Sequence, residues 1–182
     1  AGSRAMKLFT VGHSSRSLDD LIAVLRVHGI EELCDVRAYP GSRRFPQFAR
    51  ASLEAALPDA GIRYAWLGKA LGGHRPHARP DSPHTAIEEE GFRNYADHME
   101  SAEFVAAVDE LLARSGPVAL MCAERDPAHC HRSYLADYLV GVRGVEVIHI
   151  RDATETTAHV RSPLARVDGS RLVYDLGQRE LF

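Results

Sequence analysis

Apolar and polar residues follow two alternating spacings along most of the chain. Short apolar or β-branched runs predict strands, whereas apolar residues that recur every three or four positions predict helices. The predicted strands lie at 7–11, 32–36, 63–66, 118–121 and 145–150. The predicted helices lie at 18–28, 53–60, 92–99, 101–114 and 132–140. Strands and helices therefore alternate along the sequence.

Serines and glycines mark the ends of the first two predicted helices. Ser17 and Ser52 stand where a side-chain hydroxyl accepts a hydrogen bond from the free N–H groups of the first turn. Gly29 and Gly61 follow the two helices, at the position where the chain commonly turns through a left-handed conformation. These residues predict where the first two helices begin and end.

Three segments lack a regular pattern. The segments 37–46 and 67–91 are rich in proline and glycine, so we expect a loop in the first and a long loop or insertion in the second. From 152 onward the pattern is weak, and 160–174 predicts an edge strand or a hairpin. We expect residues 1–5, which precede Met6, to be a tag remnant.

Alternating strands and helices predict one fold class. Consecutive strand–helix–strand units form right-handed crossovers, which place helices on both faces of a mainly parallel sheet. The sequence therefore predicts an α/β protein with a three-layer, Rossmann-like architecture. The expected organisation is a single domain over 6–182, because no repeat or change in composition marks a second one.

Composition excludes several classes of protein. The 182 residues are 45% apolar and 26% charged with a net charge of −3, which is typical of a folded chain with a core. The longest apolar run, 118–122, is strand-sized, so no membrane association is expected. Three cysteines make no even disulfide framework, and no leader-like segment opens the chain. We expect a cytoplasmic protein.

Charge is unevenly distributed along the chain. The segment 37–80 contains eight lysines and arginines against two acidic residues, whereas 81–110 contains nine acidic residues against Arg93. A basic segment can attract a phosphate-bearing ligand, although solvated arginines spread over several faces would give the same count.

Three segments leave the carboxyl ends of predicted strands, where ligands bind in open parallel sheets. They are 12–16, the Asp35–Arg37 segment with the arginine loop behind it, and 122–132. We expect any functional site to be built from these three segments.

Six short motifs lie in and around these segments. They are Gly12-His-Ser, Asp35-Val-Arg, Gly61-Ile-Arg-Tyr, Leu71-Gly-Gly, Phe92-Arg-Asn-Tyr-Ala and Cys122-Ala-Glu followed by Cys130-His-Arg. Together they resemble the DUF488 family over about 6–150. The family name states that its function is undefined. The resemblance implies a compact α/β domain with a shared site, and it implies neither a reaction nor a cofactor.

The segment 122–132 carries the reactive groups. Cys122 ends a buried strand, and Cys130 opens a helix whose free N–H groups favour an anion or a thiolate. His131 is a candidate acid, base or thiolate partner. The candidate catalytic residues are Cys122, Glu124, Asp126, Cys130, His131 and Asp35. Alternatively, Cys122 is a core residue and Asp126-Pro127 only forms a turn.

Arginines and neighbouring aromatic residues predict a phosphate site. The candidate ligand-binding residues are Gly12, His13, Ser14, Arg37, Tyr39, Arg43, Arg44 and Arg132. Guanidinium groups bind phosphate bidentately, and aromatic rings stack on bases. The alternatives are aromatic residues that anchor the loop to the core, a capped turn at His13-Ser14, and an Arg132–Asp126 pair that holds its loop.

Familiar cofactor and phosphate motifs are missing from the sequence. There is neither a P-loop motif nor a dinucleotide-binding glycine motif, so no cofactor is predicted. A phosphatase-like loop would need an arginine at the position of Ala128. Zinc bound by Cys122, Cys130 and a histidine is a minor alternative, because this spacing departs from usual zinc motifs.

Together these features predict an enzyme that acts on a phosphate-bearing ligand, either a nucleotide or a nucleic acid. We expect hydrolysis of an N-glycosidic or a phosphoester bond, with DNA repair as one context. A base-removing enzyme would need a pocket for an extruded base. One alternative is a thiol, redox or zinc enzyme that uses Cys122 or Cys130. Another is a non-catalytic module that binds nucleotides or nucleic acid. Protein partners are not predicted.

Overall fold

The computed structural model of the protein describes residues 6–177. The expected tag remnant at 1–5 lies outside these residues. A six-stranded sheet forms the middle layer, with strand order β3-β2-β4-β1-β5-β6, and only β6 runs antiparallel to its neighbour. The strands are β1 (Lys7–Gly12), β2 (Glu32–Asp35), β3 (Arg63–Trp66), β4 (Val118–Cys122), β5 (Glu146–Ile150) and β6 (Thr156–Ala158).

Helices cover both faces of this sheet, and each face has its own apolar core. One face carries α1 (Leu18–Val27) and α2 (Arg50–Asp59). The core of the other face includes residues of α3 (Gly68–Leu71), α4 (Glu90–His98), α5 (Ala102–Leu112), α6 (Arg132–Gly141) and the hairpin β7 (Ala165–Asp168) with β8 (Arg171–Tyr174). The predicted three-layer α/β architecture is therefore confirmed. Within residues 6–177, no helix is both long enough and apolar enough to cross a membrane.

The chain order brings three loops together. From β1 the chain moves outward through β2 to β3, and it then returns through α3, α4 and α5 to place β4 between β2 and β1. These three neighbouring strands are parallel, so their carboxyl ends lie at one edge of the sheet. The loops that follow β1, β2 and β4 therefore meet there, which is where the sequence predicts a site.

The first helix has the predicted ends. Ser17 Oγ accepts a hydrogen bond from the backbone N–H of Asp20 at 3.1 Å, and Gly29 has a φ of +69°. The long apolar run at 118–122 is likewise a fully buried strand in the interior of the sheet. Local pattern and tertiary packing agree in these elements.

One helix boundary and two short elements differ from the prediction. The helix α2 begins at Arg50 with Ala49 as its N-cap, because the 3₁₀ turn Pro46–Phe48 leads the chain directly into it. The predicted cap at Ser52 is therefore wrong, and its hydroxyl instead donates to the carbonyl of Pro46 at 3.1 Å. The segment 67–91 is mostly irregular, as predicted, but includes the short α3. The strand β6 was not predicted, since its three residues give too short a pattern.

Candidate functional site

A two-part cleft lies at the carboxyl ends of β1, β2 and β4. The inner pocket has a volume of about 360 Å³, and its lining includes Gly73, His74, Phe92, Cys122, Cys130 and His131. The outer pocket has a volume of about 670 Å³, and its lining includes His13, Ser14, Arg44, Phe45, Arg125 and Asp126. The two pockets share Arg37, Tyr39, Ala123 and Glu124. The two pockets therefore lie side by side, and we refer to them together as the cleft.

Two thiols and an imidazole lie against the inner pocket. Cys130 Sγ lies 2.9 Å from Cys122 Sγ and 3.4 Å from His131 Nδ1. His131 Nε2 donates to the carbonyl of Val36 at 3.0 Å, which leaves Nδ1 as an acceptor in the neutral ring. Gly73 allows this ring to sit close, because a Cβ there would lie only 2.6 Å from His131 Nδ1.

The thiol pair is electrostatically asymmetric. The hydrogen bond from Cys130, aided by the Arg132 guanidinium, lowers the pKa of the Cys122 thiol. The same hydrogen bond, together with burial, raises the pKa of Cys130. Burial lowers the pKa of His131 to about 4. When the pair loses a proton, the negative charge therefore lies on Cys122 with Cys130 as the hydrogen-bond donor, and His131 is uncharged at neutral pH.

The Arg37 guanidinium lines the cleft and is held in place by several hydrogen bonds. Its Nε and Nη2 donate to Asp35 Oδ1 and Oδ2 at 2.9 and 2.7 Å, and Nη2 also donates to the carbonyl of Phe48. Tyr64 Oη donates to Asp35 Oδ2 at 2.6 Å. Asp35 is fully buried and lines neither pocket, so the structure corrects its expected role in proton transfer: it positions Arg37.

Arg132 is buried behind the cleft rather than within it. Its Nη1 donates to Thr10 Oγ1 at 3.1 Å, and its Nη2 donates to the carbonyls of Glu124 and Arg125 at 3.1 Å each. This geometry replaces both the phosphate contact and the Asp126 pairing considered from the sequence. Through these two carbonyls Arg132 holds the loop after β4 in place.

A chain of hydrogen bonds fixes Arg132 in turn. Thr10 Oγ1 bonds to His149 Nδ1 at 2.5 Å, and His149 Nε2 bonds to His159 Nδ1 at 2.8 Å. His159 Nε2 then bonds to Asp137 Oδ1 at 2.7 Å. Burial, aided by His159, lowers the pKa of His149 to about 3. No sequence signal predicts this chain, since its members come from separate elements.

Glu124 occupies the junction of the two pockets. Its side chain is exposed and lines both of them. Among residues 6–177, no hydrogen bond or ion pair to its carboxylate is present, unlike that of Asp35. Asp126, by contrast, accepts a hydrogen bond from the backbone N–H of Ala128 at 3.0 Å and caps the 3₁₀ turn that follows. Glu124 is therefore the carboxylate best placed for proton transfer in the cleft.

The cations and rings around the cleft differ partly from those expected. Arg44 lines the outer pocket beside Phe45, whereas Arg43 is exposed and lines neither pocket. Arg125 also lines the outer pocket, and it is not among the ligand-binding residues expected from the sequence. Tyr39 is mostly exposed at the shared wall.

The loop after β1 closes one side of the outer pocket. The backbone N–H groups of His13 and Ser14 donate to the carbonyls of Cys122 and Ala123, both at 2.9 Å. His13 and Ser14 both line the outer pocket. Gly12 instead has a packing role, because a Cβ there would overlap the carbonyl oxygen of Glu124.

The inner pocket also contains residues that the sequence did not single out for ligand binding. Phe92 stacks on Tyr134 with ring centroids 5.0 Å apart, and the ring of His74 lies 5.3 Å from that of Tyr39. Gly73 and His74 come from the long irregular segment, and Phe92 comes from α4. Only the return of the chain over β2 brings them to the strand ends.

The described residues do not converge on a metal site at the cleft. Within residues 6–177, the one group of three potential ligands that converges is His84, Asp97 and Glu100. His84 Nδ1 accepts from the backbone N–H of Tyr174, so Nε2 carries the proton and donates to Glu100 at 3.1 Å. This arrangement does not suit a metal ligand. For the zinc alternative, no third side-chain ligand atom among the same residues lies within 4.8 Å of both the Cys122 and the Cys130 sulfur.

The fold and the cleft together define a doubly wound α/β protein whose cleft lies at the strand ends. The cleft is lined by the thiol pair Cys122 and Cys130 and by Glu124, whose carboxylate has no partner within the described residues. The family model described as "Domain of unknown function DUF488" matches residues 17–139. The chain therefore belongs to this family, which confirms the family that the sequence analysis expected. No curated protein and no solved structure matches the chain.

Proposed function

We propose that this protein is a hydrolase that cleaves the N-glycosidic bond of a nucleotide or of a nucleotide unit in nucleic acid. The observation that carries the proposal is the position of Glu124, whose carboxylate lies between a ring-lined pocket and a cationic one. An N-glycosidic bond joins a flat base to a sugar phosphate, so its two sides match the two pockets.

The inner pocket suits the base. Its volume of about 360 Å³ lies within the range of small-molecule sites. Tyr39 and Phe92 offer aromatic surfaces for stacking, and the imidazole of His131 offers a polar edge. A base that is removed from nucleic acid must leave its stack and enter such a pocket.

The outer pocket suits the phosphate. Arg44 and Arg125 line it, and no ion pair with either is present among residues 6–177. Arg37 adds Nη1, whose one contact among these residues is His13 Nε2 at 3.4 Å. Guanidinium groups bind phosphate oxygens strongly when few other partners compete for them.

Glu124 then acts on the bond between the two pockets. As a general base Glu124 would take a proton from the attacking water; the C1′–O bond forms, the C1′–N bond breaks, and the departing nucleobase takes up a proton from solvent. A positioned acid or base of this kind contributes about 10²–10⁴-fold to a rate. A phosphoester would instead lie within the cationic pocket, farther from this junction. Base removal from DNA would be a repair activity.

The test is release of free base from nucleotides and from single-stranded and duplex oligonucleotides, measured by chromatography. We expect Glu124→Gln to lower the rate by about 10²-fold or more while ligand binding is retained. The matched control is Glu103→Gln, which changes an exposed carboxylate on α5 that lines neither pocket.

Three results would contradict the proposal. Base release unchanged in Glu124→Gln would remove Glu124 from the chemistry. Phosphoester cleavage without base release would assign the cleft to the other bond. Salt-sensitive binding without any turnover would make the protein a binding module.

A further inference from the structure

We propose that Cys122 and Cys130 are a dithiol site that a hydroperoxide oxidises to a reversible intramolecular disulfide. The two sulfurs lie 2.9 Å apart, and both cysteines are free and line the inner pocket. They are 1% and 7% exposed, so an oxidant reaches them through the pocket. The inference does not depend on the proposed hydrolase activity.

The backbone between the two cysteines permits the bond to form. Cys122 is the last residue of β4, and Cys130 directly precedes His131 at the start of α6. The segment between them contains the exposed residues 123–125 and 128–129 and a single 3₁₀ turn. A disulfide brings its sulfurs to about 2.05 Å, so one sulfur must approach the other by less than an ångström. The loop can supply this movement without disturbing the sheet.

The first step uses the thiolate of Cys122. Cys130 S–H donates to Cys122 Sγ, and the buried guanidinium of Arg132 lies nearby, so negative charge is stabilised on that sulfur. The thiolate attacks one peroxide oxygen; the S–O bond forms and the O–O bond breaks. The departing oxygen leaves as an alkoxide or hydroxide and takes up a proton. Cys122 is thereby oxidised to a sulfenic acid.

The second step uses Cys130. Once Cys122 is oxidised, the Cys130 S–H no longer donates to a thiolate and can hydrogen-bond to His131 Nδ1, which lies 3.4 Å away and is an acceptor because Nε2 donates to Val36. The Cys130 sulfur attacks the Cys122 sulfur; the S–S bond forms and the S–O bond breaks. The departing hydroxide takes the proton and leaves as water. Overall, two thiols and one hydroperoxide give a disulfide, water and an alcohol, or two waters from hydrogen peroxide.

Cys34 provides an internal control. It is fully buried in β2, and burial raises its pKa to about 12. It lines neither pocket. The structure therefore distinguishes two reactive cysteines from one inert cysteine in the same chain.

The test exposes the native protein at neutral pH to hydrogen peroxide and follows its mass and its peptide map. We expect a loss of two hydrogens, a Cys122–Cys130 cross-link that dithiothreitol reverses, and oxidation of Cys34 at least about tenfold slower. The Cys34→Ala variant should cross-link like the wild type. In Cys130→Ser, oxidation should stop at a sulfenic acid on Cys122 that dimedone traps.

The peptide map of the wild type decides the question even where a variant does not fold. Two results would overturn the proposal. One is a native protein whose three cysteines stay reduced in peroxide that oxidises a small-molecule thiol. The other is oxidation at Cys34 as fast as at the pair. The dithiol proposal does not require that oxidation abolish base release. A negative result in the peroxide test is therefore distinct from failure of the hydrolase proposal.

Discussion

The buried pair of Asp35 and Arg37 allows a quantitative test of how the cleft is held. The two side chains are 0% and 7% exposed, and Asp35 accepts two side-chain hydrogen bonds from Arg37 and a third from Tyr64. The Asp35→Asn substitution keeps the shape but removes the negative charge. It leaves the buried Arg37 guanidinium without a counter-charge. It also places an amide N–H₂ against Arg37 and Tyr64, which are themselves hydrogen-bond donors.

The expected cost follows from burial. Breaking a buried ion pair by removing one partner costs about 3–5 kcal/mol, because the remaining charge stays uncompensated. The matched control is Glu54→Gln, which breaks an exposed pair with Arg50 whose side chains are 49% and 47% exposed. An exposed pair of this spacing contributes far less, because water screens the two charges. The two variants should therefore differ by several-fold in their effect on the free energy of unfolding.

Urea unfolding followed by circular dichroism measures the difference. With a slope of about 2 kcal/mol per molar urea, Asp35→Asn should lower the midpoint by about 1.5–2.5 M, and Glu54→Gln by about 0.3 M or less. Adding Arg37→Met to Asp35→Asn should recover part of the loss, since it removes the uncompensated charge. Equal midpoint shifts for Asp35→Asn and Glu54→Gln would refute the reasoning.

Two further predictions concern stability. Burial holds the pKa values of His131 and His149 at about 4 and about 3, below the ordinary 6.5, so the unfolded chain binds more protons below pH 6.5. Each histidine then removes up to about 1.4 kcal/mol of stability per pH unit as pH falls from 6.5 towards its folded pKa. Urea midpoints at pH 7 and pH 5 test this, and equal values would contradict it. Gly12→Ala should cost about 1–3 kcal/mol, because its Cβ meets the Glu124 backbone, whereas Gly91→Ala has open space and should cost nothing. Thermal unfolding compares the two variants, and equal melting temperatures would argue against the close approach at Gly12.

Much of the fold follows from local pattern. The apolar run of β4 indicates a strand buried on both faces, and the structure places it between β1 and β2. Ser17 and Gly29 bound α1 because capping depends on neighbouring backbone groups alone. The predicted cap at Ser52 is wrong for a local reason as well: the preceding 3₁₀ turn leads into α2, which begins without a side-chain cap.

The location of the cleft also follows from the sequence, but the direction of each side chain does not. Loops after parallel strands lie at one edge of a sheet, so the predicted parallel sheet places the three segments at that edge, and the strand order of the structure makes them neighbours. Charge type does not indicate where a guanidinium points. Arg132 turns inward to the loop carbonyls, whereas Arg125 lines the outer pocket.

The sequence by itself determined the alternation of elements, the parallel sheet and the edge at which its reactive residues collect, because these depend on short-range periodicity and on the handedness of strand–helix–strand crossovers. Only the tertiary structure decided which groups are free to react. It paired Asp35 with Arg37, left Glu124 without a partner among residues 6–177 and brought Cys122 within 2.9 Å of Cys130. Such pairings depend on contacts between residues that lie far apart in the chain or on a loop whose path the core dictates, and a one-dimensional pattern does not encode those distances.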